Sequence, residues 1–133
     1  MDKSEIGYIR SLNLLSEKEV VESFYSTSTF KQSGNFFTNK RIASYWIDRD
    51  KSKNSINYAF YKDVVSIKPV YKVGITYCPY ILVRCSKGRA FRVYVDGDEK
   101  TIKSFFNEAV DAWRDNKVER KTGFEPAAFS LGN

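Results

Sequence analysis

Histidine is absent from this 133-residue chain, and it has only two cysteines, three prolines and one methionine. Without histidine the chain lacks the most common general base and the most common ligand of catalytic zinc, which excludes the usual hydrolase mechanisms. Two thiols fall short of a four-ligand zinc site. No apolar run approaches the roughly 18 residues of a membrane-spanning helix. We therefore predict no enzyme activity, no metal, no cofactor and no transmembrane segment.

The two cysteines, Cys78 and Cys85, are predicted to stay reduced. On one extended strand their Cα atoms would lie about 23 Å apart at roughly 3.3 Å per residue, far beyond the roughly 7 Å that a disulfide allows. We expect them to be packing residues. Residues 1–10 include Asp2, Lys3 and Glu5 and lack the apolar core of a secretory signal. Together these features predict a cytoplasmic protein.

Positive charge is concentrated in the middle of the chain. The net charge is +6, and residues 19–97 hold thirteen bases against six acids, or +7. Residues 98–116 hold three bases against five acids, or −2. A basic body can associate with phosphate-bearing partners, although such a balance mainly affects solubility and non-specific association.

Residues 98–116 form the clearest predicted helix. Apolar side chains recur there at helical spacing, and Asp98 is a natural N-cap. A second, short helix is predicted within residues 4–15, where apolar residues also recur at helical spacing. The apolar residues of the first helix are Ile102, Phe105, Phe106, Ala109, Val110 and Trp113.

The remaining segments alternate apolar and polar residues with the period of a β-strand. Residues 81–85 and 91–95 alternate on either side of a predicted turn, Ser86-Lys87-Gly88-Arg89. Pro69 predicts an edge position or a bulge for the strand at 64–73. Residues 19–28 fit a first strand, but Ser16 and Glu19 also fit a helix-capping box; we predict the strand. Further strands are predicted at residues 41–48 and 55–60, and Phe36 and Phe37 lead into a predicted turn, Thr38-Asn39-Lys40, before the first of these.

The predicted order is thus about seven antiparallel strands followed by one amphipathic helix, a mainly β roll or barrel closed by a C-terminal helix. We divide the chain into an N-terminal extension (1–14), which includes most of the short helix, a domain (15–116) and a mobile C-terminal tail (117–133) that contains scattered glycine and proline.

Short patterns over residues 15–115 resemble the bacterial pleckstrin-homology-like (PH-like) domains. The resemblance implies two roughly orthogonal antiparallel sheets, of four and three strands, capped by the helix. Because this fold serves lipid binding, peptide binding and assembly alike, it implies no single function. The patterns are Leu15 and Glu19, residues 34–42 (GNFFTNKRI), 63–67 (DVVSI) and 87–91 (KGRAF), and the closing helix with Phe105, Phe106 and Trp113.

In PH-like folds the loops after the first, third and sixth strands meet at the open end, away from the helix. The resemblance therefore implies that six cations converge there, where they could bind a lipid phosphate or another polyanion. The alternative is an ordinary solvated surface, since Asp48 and Asp50 dilute the charge. The six cations are Lys31, Arg49, Lys51, Lys53, Lys87 and Arg89.

Aromatic residues exceed what one small core accommodates with every hydroxyl satisfied, so several should lie on the surface. Surface tyrosines suit protein interfaces, and together with basic residues they suit single-stranded nucleic acid. The residues concerned are Tyr45, Trp46, Tyr58, Tyr61, Tyr71, Tyr77, Tyr80 and Tyr94.

We predict a non-catalytic module that binds a protein partner or self-associates, because the sheet edges are open and the tyrosines are in surplus. The alternative is peripheral binding to anionic phospholipid through the six cations. Nucleic-acid binding is a weaker alternative, since the dominant helix follows all the strands, unlike the helix of an OB-fold.

Overall fold

The computed structural model describes residues 2–26, 28–70, 80–95 and 98–116. Several of the sequence predictions lie outside these residues. They concern Cys78, Tyr71, Tyr77, the end of the strand predicted at 64–73, and the tail at 117–133.

The described chain is mainly β and ends in a long helix. This confirms the predicted order of seven antiparallel strands closed by a C-terminal helix, and the first strand lies within the predicted range 19–28, at Val21–Tyr25. The elements are α1 (Lys3–Ser11), β1 (Val21–Tyr25), β2 (Ser33–Thr38), β3 (Arg41–Trp46), β4 (Ser55–Phe60), β5 (Val64–Val70), β6 (Tyr80–Cys85), β7 (Ala90–Tyr94) and α2 (Glu99–Asn116).

The strands form a four-stranded sheet, β1-β2-β3-β4, and a three-stranded sheet, β5-β6-β7. All neighbours are antiparallel. Pro69 lies in β5, an edge strand, as predicted. The turn between β6 and β7 is tight because Lys87 (φ 66°) and Gly88 (φ 81°) both adopt left-handed backbone angles.

The main core lies between the two sheets and α2. One face of the four-stranded sheet, here called the inner face, contributes Phe37, Ile42 and Ala59 to this core. α2 begins at the predicted N-cap, where Asp98 Oδ1 accepts a hydrogen bond from Thr101 N at 2.8 Å. Its apolar stripe then buries Ile102 within the same cluster. Neither α1 nor α2 has the length and apolar content to span a membrane, and no other described helix does.

A second apolar cluster covers the opposite, outer face of the four-stranded sheet. α1 packs there, so that Ile9 is fully buried with Phe36, Ala43 and Tyr45. An Asp2/Glu5 capping box fixes the start of this helix. The sequence led us to expect one core, but β2 and most of β3 are buried on both faces.

A buried ion pair joins the start of the domain to the centre of this sheet. The carboxylate of Glu19 accepts two hydrogen bonds from the guanidinium of Arg41, from Nε at 2.9 Å and from Nη2 at 2.8 Å. Thr38 Oγ1 also donates to this carboxylate. Ser16 N donates to it at 3.0 Å, so the capping-box pattern seen in the sequence marks a real local turn.

Burial alone would raise the pKa of Glu19, but the hydrogen bonds from Arg41 and Thr38 outweigh it and hold the pKa below its usual value. At pH values above the ordinary pKa of a glutamate, the Glu19 carboxylate therefore contributes its full stabilisation of the fold. This contribution is lost as the pH falls through the lowered pKa.

We predict that Arg41→Ala lowers the free energy of unfolding by about 3–5 kcal/mol, because it leaves the Glu19 carboxylate buried and uncompensated. Chemical denaturation measures this change. The matched control is Lys103→Ala, which removes an exposed i,i+4 pair with Glu99 and should cost at most about 0.5 kcal/mol. Equal losses in the two variants would contradict the role given to the buried pair.

Candidate functional site

Two of the predicted basic loops meet at one end of the four-stranded sheet. Lys31 lies in the loop after β1, and the loop after β3 carries three further exposed cations. Ile47 N donates a hydrogen bond to Gln32 O at 2.7 Å, which joins the two loops. The Lys31 carbonyl in turn accepts a hydrogen bond from Tyr8 of α1 at 2.7 Å. The three cations of the β3–β4 loop are Arg49, Lys51 and Lys53.

The β3–β4 loop is shaped by its two carboxylates. Asp48 accepts hydrogen bonds from Trp46 Nε1 at 3.1 Å and from Asp50 N at 3.0 Å. Asp50 accepts hydrogen bonds from Ser52 Oγ at 2.7 Å and from Ser52 N at 3.1 Å. These hydrogen bonds lower the pKa of both carboxyl groups. The loop therefore presents three positive and two negative charges, a net charge of only +1.

The other two predicted cations lie on the β6–β7 turn, beside β4. Both Lys87 and Arg89 are exposed. Arg89 Nη2 donates to Tyr58 O at 2.8 Å, and its guanidinium lies 5.6 Å from the centroid of the Phe91 ring. Arg89 is thus attached to the middle of β4, whereas the Lys31 loop meets the loop that precedes β4.

A polar cleft of about 770 Å³ lies between the two sheets. At its base Asn35 Oδ1 accepts hydrogen bonds from Ser44 Oγ at 2.7 Å and from Tyr94 N at 2.8 Å, so one amide connects the sheets. Most of the lining is hydroxyl, amide or aromatic, Leu82 and Ala90 add aliphatic surface, and Arg92 is its cation. Among the described residues no carboxylate lines the cleft, so this lining can hold a polar group by hydrogen bonds but offers no acid and base pair for proton transfer.

β4 presents an accessible edge. It is the last strand of the four-stranded sheet. Just beyond it, Tyr61 N donates to Lys40 O at 3.3 Å, so Tyr61 and Lys40 form a hydrogen-bonded pair. Hydrogen-bonded and non-hydrogen-bonded pairs alternate along an antiparallel ladder, so Ile56 and Tyr58 fall in non-hydrogen-bonded pairs with β3 and their backbone N–H and C=O groups point away from it. The hydrogen bond from Arg89 to Tyr58 O agrees with this assignment, because it requires the Tyr58 carbonyl to point away from β3. A groove of about 330 Å³ follows the edge.

The outer face of β4 is exposed because α1 does not reach it. Ile56 and Tyr58 pair with Tyr45 and Ala43 and so share their face of the sheet. The β3 residues are buried under α1, whereas Ile56 is 43% and Tyr58 38% exposed. This leaves an apolar strip beside an accessible strand edge, the typical composition of a protein contact.

The sequence pointed to the six loop cations as the candidate site and did not reveal the exposed apolar strip on β4. Tyr58 was identified only as one of the surplus tyrosines. Two others of that group, Tyr45 and Tyr61, are buried at 2% and 1% exposure; burial raises the pKa of each well above its usual value, so both stay neutral. The signal that marks β4 is its sequence, SINYAF, which has no charge and no proline.

Comparison with known proteins identifies the fold. A crystal structure of a pleckstrin homology domain from Shewanella amazonensis superposes with a TM-score of 0.50, covering 80% of this chain and 89% of that one, at 16% identity. The fold is pleckstrin-homology-like. The resemblance seen in the sequence is thereby confirmed for a PH-like fold with sheets of four and three strands. No family model and no curated protein sequence matches the chain.

Proposed function

We propose that this chain is a non-catalytic binding module that acts through protein–protein contacts, with β4 as its contact strand. The observation that carries this proposal is that the side chains of Ile56 and Tyr58 are exposed and that their backbone groups point away from β3, toward the open edge of the sheet. An extended partner segment can add to such an edge by main-chain hydrogen bonds while its side chains contact the apolar strip. PH-like folds in general serve binding or assembly, which agrees with this role.

We predict that a displayed library of extended peptides yields binders to the full chain and that Ile56→Lys, which is on the strip but not in contact with Arg41, abolishes their binding, because a charge on the strip must be desolvated on contact. Binding is measured by titration of a selected peptide. Val65→Lys is the matched control, since Val65 is 62% exposed but lies on the other sheet. Equal loss in both variants, or no binders, would contradict the proposal.

A second candidate function is peripheral binding to anionic phospholipid. It is favoured by the hydrogen bond that joins the Lys31 loop to the β3–β4 loop and so brings four exposed cations to one end of the sheet. Arg89 and Lys87 would extend this surface along β4. Each basic residue near an anionic membrane contributes about 1 kcal/mol, and salt weakens this attraction.

For this second function we expect co-sedimentation with anionic but not neutral liposomes, stronger at low than at physiological salt. Replacing the six predicted cations by glutamine should remove the binding. The control replaces six exposed cations elsewhere, which leaves the same net charge. Equal loss in the two variants, or no binding by the natural sequence, would exclude a lipid site at these loops. The control residues are Lys3, Lys18, Lys62, Lys68, Arg84 and Lys100.

A further inference from the structure

The strand β4 itself carries none of the charges or prolines that usually protect the edge of a sheet. Natural edge strands avoid pairing with other chains by carrying charges, proline or bulges. Among the edge strands that the structure describes, β1 carries Glu22, β5 carries Lys68 and Pro69, and β7 carries Arg92. β4 has no charged residue and no proline. It is therefore the described edge best suited to pairing with another strand.

We propose that β4 pairs with β4 of a second copy of this chain, antiparallel and about a two-fold axis. This inference rests on the proposed function, since it names the partner of the same strand. The net charge of +6 makes two copies repel each other at long range, a repulsion that salt screens, so contact is least opposed where the strand that meets its copy is itself uncharged. β4 is such a strand, and a two-fold contact needs only one self-complementary patch.

The register of this contact follows from the direction of the backbone groups. Ile56 and Tyr58 both point their N–H and C=O groups away from β3. With the axis at Asn57, Ile56 of each copy lies opposite Tyr58 of the other, and each such pair exchanges both backbone hydrogen bonds. The two exposed apolar side chains then meet across the strands on the outer face. No other register centred on β4 pairs these two residues with each other.

Arg89 opposes this pairing in the isolated chain. Its guanidinium already donates to Tyr58 O, the acceptor that Ile56 N of the second copy would use. The contact also brings the two Arg89 side chains toward the same axis, where their charges repel. Pairing must therefore displace Arg89. Because the added contact involves only one short strand from each copy, we expect a weak dimer of the small-interface class.

Sedimentation velocity of the full chain, from low micromolar to near-millimolar concentration, tests this proposal. We expect a monomer that converts to a dimer as the concentration rises. Arg89→Ala should dimerise about tenfold more tightly, because it removes the competing donor and the charge repulsion. Ile56→Lys and Tyr58→Lys should stay monomeric throughout, whereas the control Val65→Lys should dimerise like the natural sequence.

A chain that is monomeric at every concentration, both in its natural sequence and as Arg89→Ala, would overturn the second copy as partner. So would a dimer that Tyr58→Lys leaves intact. The peptide titration separates this failure from failure of the proposed function. If the chain stays monomeric while Ile56→Lys still abolishes peptide binding, β4 binds another protein and only the dimer is wrong. If neither effect is seen, both proposals fall.

Discussion

The buried guanidinium of Arg41 is the constraint on which the rest of the structure depends. It holds the Glu19 carboxylate with two hydrogen bonds, and Nη1 donates to Asn13 O at 3.4 Å in the segment that leads from α1 to β1. On its other side it lies 5.0 Å from the ring centroid of Tyr58 and 4.7 Å from that of Phe60. Because removing a partner of a buried charge is strongly destabilising, this one group ties the segment between α1 and β1, and also β4, to β3.

This arrangement explains why the outer face is closed over three strands and open over the fourth. α1 and the cluster around Ile9 cover β1, β2 and β3, whereas the aromatic rings of β4 pack against Arg41 and against each other, with Tyr58 and Phe60 edge to face at 5.5 Å. The Tyr58 side chain is thus ordered without being covered. An ordered, exposed contact residue loses little conformational entropy on binding, which favours association through this strand.

The strands, the C-terminal helix and the PH-like fold could be predicted because they follow from periodicity and from short patterns read in order. The second apolar cluster could not, because the helical spacing of Ile6, Ile9 and Leu12 shows an amphipathic helix but not the sheet face that it covers. The pairing of Glu19 with Arg41 was also missed, since it joins residues far apart in sequence and only the local turn from Ser16 has a sequence pattern. The exposed strip on β4 could not be predicted either, because it depends on how far the cluster under α1 extends across the sheet, which is decided by tertiary packing.

Amide hydrogen exchange along β4, measured at low and at high protein concentration, tests the central claim most directly. The amides of Asn57 and Ala59 face β3 and should be protected at both concentrations, which gives an internal control within the same strand. The amides of Ile56 and Tyr58 face outward and should exchange quickly at low concentration and slowly at high concentration, as the second strand pairs with them. If exchange at Ile56 and Tyr58 were the same at both concentrations, β4 would not be the strand through which this chain associates with itself.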